Sequence, residues 1–246
     1  EFGNRLLTFV LAALAIAALV GMLWQRRRWR QQNLGKRSIL LVLAAVPLIG
    51  TVVQAALGGV TVLTGLHPAT VSAHFLVSVA IIAVCVVLVA RSGDPGDQPL
   101  HYLVPKGIVV LAWGVVAAAA VVVVLGVLVT GSGPHSGDID VDKRLPFDFR
   151  TISWIHADMV FLFVGLLLGL LVALMVHGTA PRALKRVVLL LVIAAVQGAV
   201  GYVQFFTGLP ELLVIFHVIG AVLVWVVVLF IPLALRTRGV ASTSVS

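Results

Sequence analysis

The sequence predicts an all-α integral membrane protein, and three observations carry the prediction. Of its 246 residues 61% are apolar and only 11% charged, with mean hydropathy +1.17; a soluble domain carries roughly 25% charged residues. The apolar residues come in continuous runs of about 20, enough to cross ~30 Å of hydrocarbon. Lys and Arg gather in alternate connections between those runs, the pattern of a chain weaving through a bilayer.

Seven runs qualify, at about 6–24, 38–59, 71–90, 107–130, 152–176, 184–206 and 211–234. They are continuous rather than alternating, so they read as helices and not as barrel strands. Arg26, Arg27, Arg28, Arg30, Lys36 and Arg37 follow the first run, and Arg91 and Lys106 flank the connection after the third. Arg182, Lys185 and Arg186 lie in the connection after the fifth, and Arg236 and Arg238 follow the seventh. These connections fall on one face, which the positive-inside rule makes cytoplasmic. The net charge of +8 is therefore topological, and no nucleic-acid partner is expected. Glu1, Asp138, Asp140, Asp142, Asp148, Asp158 and Glu211 fall on the other face. Residue 1 is accordingly expected outside and the C-terminus in the cytoplasm. An outside start, with Glu rather than Met at position 1, suggests a span before residue 1, hence seven transmembrane helices of an expected eight. Cys85 is the one cysteine, so no intramolecular disulfide forms.

An internal repeat organises the chain. Residues 54–74 (QAALGGVTVLTGLHPATVSAH) and 197–217 (QGAVGYVQFFTGLPELLVIFH) share nine of 21 positions without a gap. Gln54 aligns with Gln197, Gly58 with Gly201, Thr64-Gly65-Leu66 with Thr207-Gly208-Leu209, and His74 with His217. Apolar composition alone gives about two or three matches in such a window. Each copy reads as helix, short outer turn, helix. The expected organisation is a tandem duplication of four-helix bundles in the same orientation, as in parallel membrane repeats. Residues 1–92 form the first half, 93–106 an inner linker and 107–246 the second half. The stretch 131–151 is the longest outer loop, acidic and rich in turn residues.

His74, His156 and His217 stand near the outer ends of their spans. Ionisable residues at membrane depth are rare and face the bundle interior. A single interfacial histidine is more often a hydrogen-bonded structural residue. Two at the same repeat register and a third one helix away favour a metal-binding role. Imidazoles on two helices of one bundle are what axial ligation of a haem iron needs, with an apolar pocket between the helices for the macrocycle. His67, His101, His135 and His177 fall in connections or at their edges and read as solvated surface. The sequence has no HExxH, CxxC or Walker motif and no Rossmann glycine fingerprint. Glu1 lies one helical turn before Asn4 on the same face. It reads either as a first-turn acid at a helix N-terminus or as a proton-handling group beside a reaction centre.

The segments GGVTVLTGLHPATVSAHF and TGSGPHSGD and the spaced QGAVGYVQ, LP and FH resemble the haem A synthase family, in an actinobacterial style. The resemblance implies an eight-helix enzyme of two four-helix halves in a bacterial cell membrane. It implies oxidation of the C8 methyl of haem O to a formyl group, giving haem A for terminal oxidases. By the same resemblance His156 and His217 match the pair that binds a haem b cofactor, and His74 matches one of the pair at the substrate haem site. Glu1 and Arg5 match an acid-x-x-His-Arg motif, in which Asn4 replaces the histidine. Glu1 and His74 are thus the implied catalytic residues, and Arg5 an implied partner of haem propionates beside Lys143, Arg144 or Arg150. The family's paired outer-loop cysteines are missing from 131–151. The implied partners are haem O, an electron donor the sequence does not name, the haem O synthase (protohaem farnesyltransferase), terminal oxidase assembly factors and a second copy of the chain. The alternative reading is a membrane dihaem cytochrome exchanging electrons with quinone. A transporter, also built from repeats, would place its polar site at the midplane rather than at the outer ends.

Overall fold

The computed structural model describes residues 2–31, 38–94, 98–134, 136 and 143–238. Among them, seven helices are long and apolar enough to cross a membrane. They are α1 (Phe2–Gln31), α2 (Ser38–Leu63), α3 (Pro68–Ser92), α4 (Lys106–Ser132), α5 (Phe149–His177), α6 (Pro181–Phe206) and α7 (Glu211–Ala234). The fold is the all-α membrane class that the composition indicates.

The helices outrun the apolar segments. α1 continues through Arg26, Arg27 and Arg28 because arginine is a good helix former, and the Arg28 guanidinium lies 3.7 Å over the Trp24 ring. The linker and the C-terminal end hold two short strands that the apolar pattern does not show. β1 (Leu100–Tyr102) pairs antiparallel with β2 (Arg236–Arg238). Arg91 and Arg238 both bridge to Asp94 at 3.2 Å. The Leu103 N–H donates to the Leu235 carbonyl at 2.8 Å, and the Thr179 hydroxyl to the Leu103 carbonyl. This latch gathers the linker, the α5–α6 turn and the end of α7 at the basic end of the bundle.

Three hairpins, α2–α3, α4–α5 and α6–α7, are the closest helix pairs. In the second half α4 also packs on α7 and α5 on α6, closing a four-helix ring. α3 packs on α7 and α4, and α1 packs on α2. The indole of buried Trp225 on α7 donates to the Val79 carbonyl on α3 at 2.9 Å, joining helices from the two halves. Side chains such as Phe9, Phe161 and Val192 are exposed, as lipid-facing positions are.

The core is concentrated toward the basic end. Ala112, Val115, Leu167, Leu170, Val187, Leu190 and Val228 are all wholly buried. In the second half the buried layer reaches Val123, Phe163, Ala194 and Gly220 and largely stops there. Nearer the histidine end of that half only Gly131, Ser132, Gly133, Ser136 and Ile152 are buried among the described residues. The bundle is pinned below and looser above.

Trp225→Phe removes the one indole donor between α7 and α3. A net hydrogen bond contributes about 1 kcal/mol, so the thermal midpoint in detergent is expected to fall by about 2–4 °C. An unchanged midpoint would show that this bond does not hold the halves together.

Candidate functional site

Each of the three histidines is built in the same way. His74 is the seventh residue of α3, His156 the eighth of α5 and His217 the seventh of α7. At 1.5 Å per residue, all three lie about 9–11 Å inside their helix starts. Each imidazole leans on the helix before it, at a glycine. A Cβ at Gly58 would stand 3.7 Å from Cε1 of His74, and one at Gly126 3.3 Å from Cε1 of His156. One at Gly201 would stand 3.3 Å from Cε1 of His217. The cradle is closer in the second half than in the first.

In all three, Nδ1 is buried and makes no hydrogen bond of good alignment. The Val122 carbonyl, one turn before Gly126, faces the His156 ring, and the Gln197 carbonyl, one turn before Gly201, faces His217. Nε2 is not among the buried unpartnered atoms in any of the three, so it opens on accessible space. One edge of each ring is tucked against backbone while Nε2 is left toward accessible space. His156 and His217 lie within electrostatic reach of one another. They come from helices that are diagonal in the second-half ring, since α5 and α7 each pack on α4 and α6.

Glutamines flank this arrangement. Gln54 Nε2 donates to the His74 carbonyl at 2.9 Å and contacts the Ser78 hydroxyl, tying α2 to α3 one turn deeper than Gly58. In the second copy Ala221 stands where Ser78 does, and Gln197 lies against Gly220, where any Cβ would overlap its carboxamide. Toward the histidine end a small open cleft lies between α4, the start of α5, Gln204 and α7. Phe149 and Phe205 stack beside it at 6.2 Å between centroids. The Leu145 N–H donates to the Gly131 carbonyl at 2.8 Å and straps the outer loop to α4.

The turns before α3 and α7 repeat as well. Gly65 and Leu66 have φ of 63° and 52°, and Gly208 and Leu209 have 79° and 61°. Leucine in this left-handed region is strained. The same bonds hold both turns, from Leu66 N–H to the Thr61 carbonyl at 2.9 Å and from Leu209 N–H to the Gln204 carbonyl at 2.7 Å.

The structure brings His156 and His217 together and seats His74 alike on the neighbouring hairpin. Glu1 lies outside the described residues, as does His135. Asn4 and Arg5 belong to the first turns of α1, with side chains outside the description. His67 caps α3, its Nδ1 accepting from the Ala69 N–H at 3.2 Å. His101 and His177 are exposed. The residues that the sequence reading passed over are Gly58, Gly126, Gly201, Gln54, Gln197 and Gln204. The repeat alignment itself marks Gln54 with Gln197 and Gly58 with Gly201; Gly126 has no such signal.

Fold and site together define a multi-pass helical membrane protein with three half-buried imidazoles seated alike near one end of the bundle. Residues 1–135, more than half the chain, match the family model of the cytochrome oxidase assembly protein COX15-CtaA. The chain belongs to that family, whose role is the assembly of cytochrome oxidase. No curated protein matches it. The matched segment contains Arg5 and His74, whereas His156 and His217 lie beyond it, His217 aligning with His74 in the internal repeat.

Asp148 caps α5, the helix that carries His156. Its carboxylate accepts from the Thr151 hydroxyl at 2.7 Å and the Thr151 N–H at 2.8 Å, and these bonds hold its pKa below the ordinary 3.8. A depressed carboxylate pKa stabilises the helix start above the unfolded value and loses that effect as pH falls through the folded one. Hydrogen-exchange protection at Thr151 is therefore expected to decline only below about pH 3.8, and Asp148→Ala is expected to abolish it at all pH. Protection that survives Asp148→Ala would refute the cap.

Proposed function

We propose that the protein is a haem A synthase, acting in the assembly of cytochrome oxidase by oxidising the C8 methyl of haem O to a formyl group. The observation that carries this is the pair His156 and His217, backed on Gly126 and Gly201 with Nε2 of each ring open to accessible space. The residues fit a haem. Two imidazoles suit its axial positions, and the glycine cradles hold the rings.

In this reading His156 and His217 hold haem b, which when bound supplies one-electron transfer. His74 is the imidazole for the iron of the substrate haem O, since Asn4 stands where the family motif has histidine. Conversion of a methyl to a formyl group adds one oxygen atom, removes two hydrogen atoms and is a four-electron oxidation, so the reaction needs an external oxidant of the one-electron-acceptor or dioxygen class. Glu1 accepts protons as the methyl is oxidised, and Arg5 pairs with a propionate at the surface. Gln54 fixes the backbone of His74 to α2, so the ligand stays oriented while haem O enters and haem A leaves. The basic end faces the cytoplasm of a bacterial cell, and haem O comes from a prenylating haem O synthase.

The test is co-expression with a haem O source, followed by extraction and separation of haems. Wild type is expected to yield haem A. His74→Ala is expected to abolish haem A while the purified protein keeps a low-spin b-type spectrum. His156→Ala and His217→Ala are expected to lose that spectrum. Haem O recovered unchanged beside an intact b-type spectrum would refute the synthase and favour the dihaem cytochrome.

The cradles give a second prediction. A Cβ at 3.3 Å is closer than ordinary van der Waals contact, whereas 3.7 Å is within it. Gly126→Ala and Gly201→Ala are expected to turn the imidazoles and shift the low-spin electron paramagnetic resonance g-values of haem b. Gly58→Ala is expected to leave them as in wild type. Unshifted g-values in both second-half variants would separate the glycines from ligand orientation.

A further inference from the structure

The two copies of the repeat present the same stripe on the first helix of their hairpins. On α2 it is Gln54, Gly58 and Thr61; on α6 it is Gln197, Gly201 and Gln204. Steps of four and three residues keep each stripe on one face. The glycine receives the histidine in both. The third position, one turn nearer the histidine end, differs. Thr61 is buried and its hydroxyl donates to the Leu57 carbonyl of its own helix at 2.8 Å, so its donor is used locally. Gln204 lines the cleft beside α4 and α7, and its Oε1 is buried with no partner. Val129, Phe149, Leu209 and Val214 make that cleft apolar, and no Lys, Arg, Asp or Glu lines it. The hydroxyl of Thr130, the other polar side chain there, is turned to the Gly126 carbonyl at 3.0 Å. The carboxamide of Gln204 is thus the one side-chain group in the cleft with free hydrogen-bonding capacity among the described residues.

A haem is an apolar disc with two carboxyl groups on one edge. Held by His217 beside Gly201, it meets the stripe one turn below Gln204. We infer that Gln204 anchors the carboxyl edge of the second-half haem, and that this residue makes that haem resident while the haem at His74 is exchangeable. The amide N–H of Gln204 can donate to an ionised propionate and its Oε1 can accept from a protonated one, and an unpaired buried amide favours a ligand that satisfies it. Thr61 offers the first-half haem no such anchor. An oxidase of haem needs this difference, because one haem must stay as cofactor and the other must leave as product. The inference rests on the haem reading above.

The test is transfer of haem from the purified, haem-loaded full chain to apomyoglobin, followed by absorbance. Gln204→Thr installs the residue that the other copy carries at this register. It is expected to release the b haem at least about fivefold faster, with low-spin bands unchanged before transfer. Gln204→Met keeps the length of the side chain and removes its hydrogen bonds, and it is expected to match the Thr variant. Thr61→Gln is expected to slow release from the first half by a similar factor. Wild-type release from Gln204→Met would overturn the inference while leaving the function standing. A wild-type protein that takes up no haem would overturn the function itself.

Discussion

An imidazole can point one nitrogen into a bundle only if its other edge has somewhere to rest, and inside a membrane that place is the backbone of a neighbouring helix. A side chain at the point of contact would push the ring away. The fold solves this three times with a glycine, at Gly58, Gly126 and Gly201. With Nδ1 tucked in and Nε2 left toward accessible space, the ring is held in one orientation. The antiparallel hairpin follows from this requirement. The histidine comes seven or eight residues into the second helix, and the glycine lies near the end of the first, so antiparallel packing brings them level, across a short turn in α2–α3 and α6–α7 and across the long outer loop in α4–α5. In α2–α3 and α6–α7 that turn is also the same, down to a leucine held in a left-handed conformation.

Precise placement of ligands at one end demands rigidity from the other. Hydrophobic burial does little to join helices in lipid, so close packing and polar ties must do it. The wholly buried layer of Val115, Leu167, Leu170, Leu190 and Val228 sits toward the basic end, next to the β1–β2 latch and the Asp94 ion pairs. Trp225 ties α7 to α3 just below the histidine layer. A bundle pinned at one end keeps space at the other without collapsing, which suits a site that holds a large planar group.

Much of this was legible in the chain itself. Seven apolar runs give the seven helices, and the basic connections give the shared end, because both signals are additive over many residues. The 54–74 and 197–217 repeat points to the hairpins and to His74 with His217, since register is preserved without a gap. The role of Gly126 was not legible. It belongs to no repeat and is one of 23 glycines, and only tertiary packing reveals which glycine faces a ring. The β1–β2 latch was hidden for a related reason. Leu100–Tyr102 and Arg236–Arg238 are separated by more than 130 residues, and strands of three residues leave no periodicity to read.

Duplication explains why the halves are alike, and the departures from it explain how they divide the work. Ser78, which receives Gln54 on α3, is replaced by Ala221 on α7, and Gln197 settles instead against Gly220. Thr61, closed on its own helix, is replaced by Gln204, open to a cleft. The first change fastens the backbone of His74 to α2. The second leaves an unpartnered amide oxygen above His217. At this register a haem at the first site would lack the rim contact that Gln204 offers a haem at the second. Differential retention of two nearly identical ligands therefore needs no difference in fold, only a few side-chain exchanges on a stripe that the repeat holds in common.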